Sequence, residues 1–147
     1  NFGDFFPLGV VPACNNSIWQ TDFFLGLMSF SSMHAEVLAA DPDHANNNGN
    51  YAGFLLARGR TVEANPYLER AEKDVDNKDL QLELHFYRLA HFPDTEQASR
   101  RAIHDLLGQG ERSPKWDFSR NIERAEEEGC SYVDELRDVA QKISEVP

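Results

Sequence analysis

Five histidines, two cysteines and several clustered carboxylates are the residues of this chain able to do chemistry, and their spacing decides which chemistry is open to them. A zinc hydrolase helix sets two histidines four apart around a glutamate, so that both rings meet one metal. His34, His44, His85, His91 and His104 contain no such pair. His34 and Glu36 do not have a ligand spacing, and the gap between His85 and His91 puts the rings on different faces of a helix. Asp41, Asp43 and the run Asn46-Asn47-Asn48 resemble the opening of a calcium loop, but that loop requires glycine at its sixth place and glutamate at its twelfth. Asn46 and Ala52 stand there instead. Cys14 and Cys130 have no adjacent histidine and form no CxxC pair, which reads as two small apolar core residues rather than a nucleophile or a redox couple. Neither a Gly-rich phosphate loop nor a GxSxG elbow occurs. The residues therefore predict no enzyme, no metal and no cofactor. The run Glu126-Glu127-Glu128 reads as a solvated helix end, although its charge opposes the helix dipole there.

Composition narrows the remaining classes. The chain has 147 residues, 41% hydrophobic and 27% charged, with 25 acids against 14 Lys and Arg and a net charge of -11. That length suffices for a real core without disulfides or metals. Strong acidity argues against nucleic acid and against an anionic membrane surface, since both need basic groups. The bases are also unevenly placed: none occurs in the first 57 residues, which carry Asp4, Asp22, Glu36, Asp41 and Asp43. Phe23 to Met28 is the longest unbroken apolar stretch, far short of the roughly 20 residues of a membrane span. No basic n-region of a signal peptide is present, and the sparse cysteines point to the cytoplasm.

The elements that must position these residues are helices. From Ser17 onward the chain reads as helix after helix, broken at Asp41-Pro42, Gly59, Pro93-Asp94, Gly108 to Gly110, Ser113-Pro114 and Gly129, with no strand. Ala45 to Arg58 and Thr61 to Lys73 each carry one apolar stripe and are joined by a turn at Gly59 that allows only an antiparallel hairpin. Leu80 to His91 with Asp94 to Leu107, and Pro114 to Glu128 with Tyr132 to Val146, repeat that grammar. Thr61 is expected to cap the second helix and leave Pro66 in its first turns. Ser113 is expected to cap the helix beginning at Pro114, and Ser131 with Asp134 to form a capping box for the last. Asn1 to Asn16, with Pro7, Pro12 and two glycines, is expected to be irregular, and Ile18 to Leu38 to be an apolar helix. The expected organisation is an irregular segment 1–16 followed by one helical domain, 17–147.

A shift of 34 residues superposes small and apolar positions: Ala64 on Ala98, Leu55 on Leu89, and Leu68 through Ala102 on Leu136, with Asp105 a miss. In the 41–76 unit, Pro42 precedes Tyr51, Ala52 and Leu55 on the first helix and Ala64, Leu68 and Ala71 on the second. On these residues the chain resembles the tetratricopeptide repeat family. Degenerate units follow at 79–110, with His85 and Phe86 in place of a leucine and a small residue, and at 113–146, where Trp116, Leu136 and Val139 are kept. Asn48 and Asp76 depart from the pattern, which predicts loose packing at both ends of the first unit. The resemblance implies an all-α α-solenoid of about three antiparallel helical hairpins.

The resemblance also implies a concave groove lined by the first helix of each hairpin, holding a peptide or a partner's helix. By spacing, Asn46, Asn50, Gly53 and Ala57 share one face of their helix, and Glu83, Tyr87 and His91 share the corresponding face of the next. Asn side chains clamp backbones with a donor and an acceptor, and Tyr offers apolar area with a polar tip. In a family subgroup that grips acidic tails, lysines stand where this chain has Gly49 and Ala57, so only Asn50 fits that clamp. A basic or neutral partner is expected rather than an acidic one. The leading expectation is a protein-interaction scaffold. The alternative is a regulatory or scaffold domain of a larger enzyme or signalling protein whose catalytic part lies outside this chain. A third reading is self-association through the Phe-rich N-terminal segment.

Overall fold

The structure, a computed structural model, describes residues 34 and 36–146. The expectations for Asn1 to Asn16, for Cys14, and for most of the helix Ile18 to Leu38 lie outside the described residues. Two compact units are present, one ending at Ala40 and the other running from Asp41 to Pro147. In the first, residues 34 and 36–40 are helical. All further description concerns the second.

Six α-helices follow one another there: α1 (Ala45–Ala57), α2 (Thr61–Glu72), α3 (Lys78–His91), α4 (Glu96–Gly108), α5 (Ser119–Glu127) and α6 (Val133–Ser144), with a 3₁₀ turn at Pro93–Thr95. No strand occurs among the described residues. The described residues are all-α, and the sequence neighbours α1–α2, α2–α3, α3–α4 and α5–α6 pack on one another.

Glycine ends three of these helices by the same device. Gly59, Gly110 and Gly129 adopt φ of 75°, 89° and 86°, a left-handed conformation that costs a side-chain-bearing residue energy. At each, two backbone N–H groups reach back to otherwise orphaned carbonyls: Gly59 to Leu56 and Arg60 to Leu55, Gly110 to Leu107 and Glu111 to Leu106, Gly129 to Glu126 and Cys130 to Ala125. The helix starts are less regular. His44 caps α1 by accepting from the Asn47 N–H at 3.1 Å, and Asn77 caps α3 by accepting from Leu80 at 3.2 Å.

Three expected caps are not used. Arg60 rather than Thr61 precedes α2, so Pro66 lies inside that helix. Tyr132 precedes α6 without a side-chain cap, which leaves Ser131 outside. Residues 114–118 are not helical, and α5 begins at Ser119. Ser113 is held instead by tertiary contacts, its N–H donating to Ile143 O at 2.8 Å and its hydroxyl to Glu83 at 2.5 Å, which aim its side chain at α3. Asn48, expected to pack loosely, is fully buried and ties the preceding loop to α1 by donating to Pro42 O and His44 O at 2.9 and 3.0 Å.

The core explains the arrangement. Ala52, Leu55 and Leu56 of α1 meet Ala64, Leu68 and Ala71 of α2, all buried. α3 buries Leu80, Leu82, Leu84, Phe86, Tyr87 and Leu89, more than one stripe, because it packs against α1, α2, α4, α5 and α6. Each such side chain contributes roughly 1.5–3 kcal/mol on removal from water, so α3 is the centre of the unit. Bidentate ion pairs stitch its flanks: Arg88 to Glu72 at 2.8 and 3.0 Å joins α3 to α2, and Arg100 to Glu135 at 2.6 and 2.8 Å joins α4 to α6.

The third pair of helices does not simply extend the row. A chain of hairpins touching only their sequence neighbours would leave α5 clear of α1. Here α5 packs on α1 as well as on α3.

Candidate functional site

α1 is a 13-residue helix without one charged side chain. Its two glycines, one turn apart, let α3 approach closely. A Cβ on Gly53 would stand 2.3 Å from the Tyr87 hydroxyl oxygen and 2.6 Å from Cζ, and one on Gly49 would stand 2.8 Å from Leu80 Cδ1. Gly53 is therefore the seat of the Tyr87 hydroxyl. This contact brings the expected faces of α1 and α3 side by side.

Segment 113–124 is laid across both helices. Ser113 donates to Glu83, and Trp116 Nε1 donates to the Tyr87 hydroxyl at 2.6 Å. The Phe118 ring packs on Phe86 and Tyr87, with centroids 4.1 and 5.9 Å apart. Asn121 Nδ2 donates to Gly53 O at 3.2 Å and lies 3.1 Å from His91 Nε2. Arg124 Nε donates to Ala57 O at 3.2 Å, which satisfies one of the carbonyls left open in the last turn of α1.

Five of the seven expected groove residues thus meet one segment: Gly53, Ala57, Glu83, Tyr87 and His91. Asn50 is half-buried. Asn46 is exposed and accepts from Asn77 Nδ2 at 3.0 Å, at the edge where α1 meets the start of α3. Tyr87 and His91, expected on an open groove face, are 1% and 9% exposed, because Trp116, Phe118 and Asn121 cover them.

The Asn121 amide fixes the state of His91. Its nitrogen is a donor to Gly53 O, so the ring nitrogen it also faces must accept; His91 is neutral, with its proton on Nδ1. Burial, and then the nearby Arg124 guanidinium, lower its pKa to about 4. Nδ1 is buried without a hydrogen-bond partner. Burial raises the pKa of Glu83, against the Ser113 hydrogen bond, and Asp79 adds to the rise. Tyr87 is likewise raised, chiefly by burial.

The C-terminal end of α1 has a different character. Burial, then Arg120, Arg60 and Arg124, lower Arg58 to about 10. Its guanidinium lies 3.7 Å over the Phe54 ring. Glu128 reaches this end too, within 3.4 Å of where a Gly59 Cβ would stand. The groove is thus neutral along α1, anionic at Glu83, and cationic where α1 ends.

Ser113, Phe118, Asn121 and Arg124 carried no signal in the sequence for a role in this groove. Trp116 stood out only as a core or capping residue of the repeat. Spacing identifies a shared face within one helix, but which distant segment covers that face depends on the turn at 109–118. Cys130 lines a separate cleft of ≈ 290 Å³ together with His91, Glu96 and Glu128. Among the described residues, no three His, Cys, Asp or Glu side chains could hold a metal ion, and no helix is long and apolar enough to cross a membrane. No family model, curated protein or solved structure matches the chain.

Proposed function

We propose that this chain is a non-enzymatic protein-interaction module of tetratricopeptide-like helical hairpins, whose α1–α3 face holds a helical segment of a partner protein. One observation carries the reading. The α1–α3 face is covered by residues 113–124 of the same chain, through side chains aimed at backbone carbonyls and through the packing of Phe118, contacts of the kind that a partner's helix would make. Recognition of an amphipathic helix in a groove uses this combination of a few anchors and a surrounding apolar surface. The hairpin pairing of α1 with α2 and of α3 with α4, and the glycine-terminated helices, support the repeat-like architecture.

The chemistry of the face favours a partner that is neutral or basic along most of its length. α1 brings no charge, and the one carboxylate that meets the bound segment from α3 is Glu83. Selection of helical peptides against the whole chain tests the proposal. Binders should lose about fivefold in affinity on Asn50→Ala, the loss of roughly one hydrogen bond or ~1 kcal/mol. Binders indifferent to every substitution on the α1–α3 face would contradict it.

A further inference from the structure

The first turns of α1 and α3 are held by side chains that touch one another. His44 caps α1, its Nδ1 accepting the Asn47 N–H at 3.1 Å. Asn46, on the same turn, accepts from Asn77 Nδ2 at 3.0 Å, and Asn77 Oδ1 in turn accepts the Leu80 N–H at 3.2 Å and so caps α3. We propose that His44 is a proton-responsive cap. Its neutral ring holds the first turn of α1 and, through the link from Asn46 to Asn77, steadies that of α3; a proton taken up on Nδ1 releases both.

A backbone N–H only donates, so the ring nitrogen it meets is unprotonated, and the proton of the neutral ring stands on Nε2. Ser, Asn and Asp caps keep their acceptor throughout the neutral pH range, whereas a histidine cap keeps it only while the ring is uncharged. Protonation then acts twice in one direction. It sets a donor against a donor, and it brings a positive charge to the N–H groups of a helix start, where the dipole favours negative charge. No acidic residue in the first turn of α1 offsets that charge.

The ring is open to protons, since His44 is exposed. Asp41 and Asp43 precede it on its own loop, and Arg70, Lys73 and Asp74 face the same hollow from the end of α2. The three carboxylates favour a charged ring and the two bases oppose it. The loop has other ties to α1: Asn48 Nδ2 donates to Pro42 O and His44 O, and the His44 N–H donates to Asp41 O. Loss of the cap therefore frees the Asn47 N–H and loosens Asn46 while the entry to α1 keeps its place, which makes the response local.

The test follows amide exchange and amide NMR of the full chain at pH 8 and pH 5, against a chain carrying His44→Asn, whose cap does not titrate. At each pH the protection of the Asn47 amide in the natural chain is divided by that in His44→Asn. The ratio cancels the pH dependence of exchange itself and the titration of the other histidines and of Glu83, which both chains share. It should fall about fivefold from pH 8 to pH 5, the worth of one side-chain cap, and the Asn47 amide shift should move together with the His44 ring. The Leu80 ratio should fall in the same direction by less, and Asn46→Ala should abolish that response while leaving the one at Asn47. An Asn47 ratio that stays constant, or an Asn47 shift that does not follow the ring, would overturn the proposal. A Leu80 response that is absent from the natural chain, or that survives Asn46→Ala, would overturn the link to α3.

Discussion

Gly53 is the residue on which the close approach of α1 and α3 turns. In an ordinary helix interior, Gly→Ala stabilises by about 1 kcal/mol through propensity alone. Here the added methyl would lie 2.3 Å from the Tyr87 oxygen, so Gly53→Ala should instead destabilise by roughly 1–3 kcal/mol in a urea titration. His91 supplies a second prediction, with its sign fixed by linkage. Its folded pKa, about 4, lies below the ordinary histidine value of 6.5, so the unfolded chain binds the extra proton more readily. The stability from the neutral ring is fully present above about pH 6.5 and is lost as pH falls toward 4, approaching ~3 kcal/mol in total. Asn121 makes the loss local, because a protonated Nε2 would face its N–H donor. Comparing the natural chain with His91→Gln between pH 7.5 and 4.5 isolates the effect: the natural chain should lose more stability by about 2–3 kcal/mol. Glu83, whose raised pKa acts in the opposite direction, is common to both chains.

At the scale of elements, most of the helices were legible in the sequence. The apolar stripes of α1, α2, α3 and α6 and the glycines that stop α1, α4 and α5 all act locally, through hydrogen bonds spanning a few residues. The starts were legible less well. Ser113, Thr61 and Ser131 are of capping type, yet no cap forms at any of them: the Ser113 side chain is turned to Glu83 across the fold, and α2 and α6 begin after Arg60 and Tyr132 without a side-chain cap. Seven groove residues were named from spacing, and five meet one segment, but the covering residues depend on contacts about 30 to 70 positions apart. Inter-element ion pairs belong to the same category. Arg88, with a side chain 15% exposed, holds Glu72 and Asn65 together, whereas Arg60 and Glu63 pair on one exposed face. Arg88→Ala should cost about 1.5–3 kcal/mol, and Arg60→Ala no more than ~1 kcal/mol, both read from urea midpoints.

For the whole molecule, the uneven charge acquires a structural meaning. The base-free stretch of the sequence ends at Ala57, where α1 ends, and the arginines begin at once with Arg58 and Arg60. The boundary therefore lies at one end of the groove and gives the bound helix a direction. α5 lies on this face through two hydrogen bonds to backbone carbonyls and through Ile122 and Ala125, while most of the leucines of the shared core belong to α1, α2 and α3. The account requires that the α5 segment open without unfolding the first two hairpins. Native-state hydrogen exchange measures this most directly. Amides of Ile122 to Arg124 should exchange through an opening of distinctly lower free energy than those of Leu55 and Leu84, and the gap should widen with Arg124→Ala. A single opening free energy shared by all six helices, unchanged in its uniformity by that substitution, would contradict a face able to receive a partner's helix.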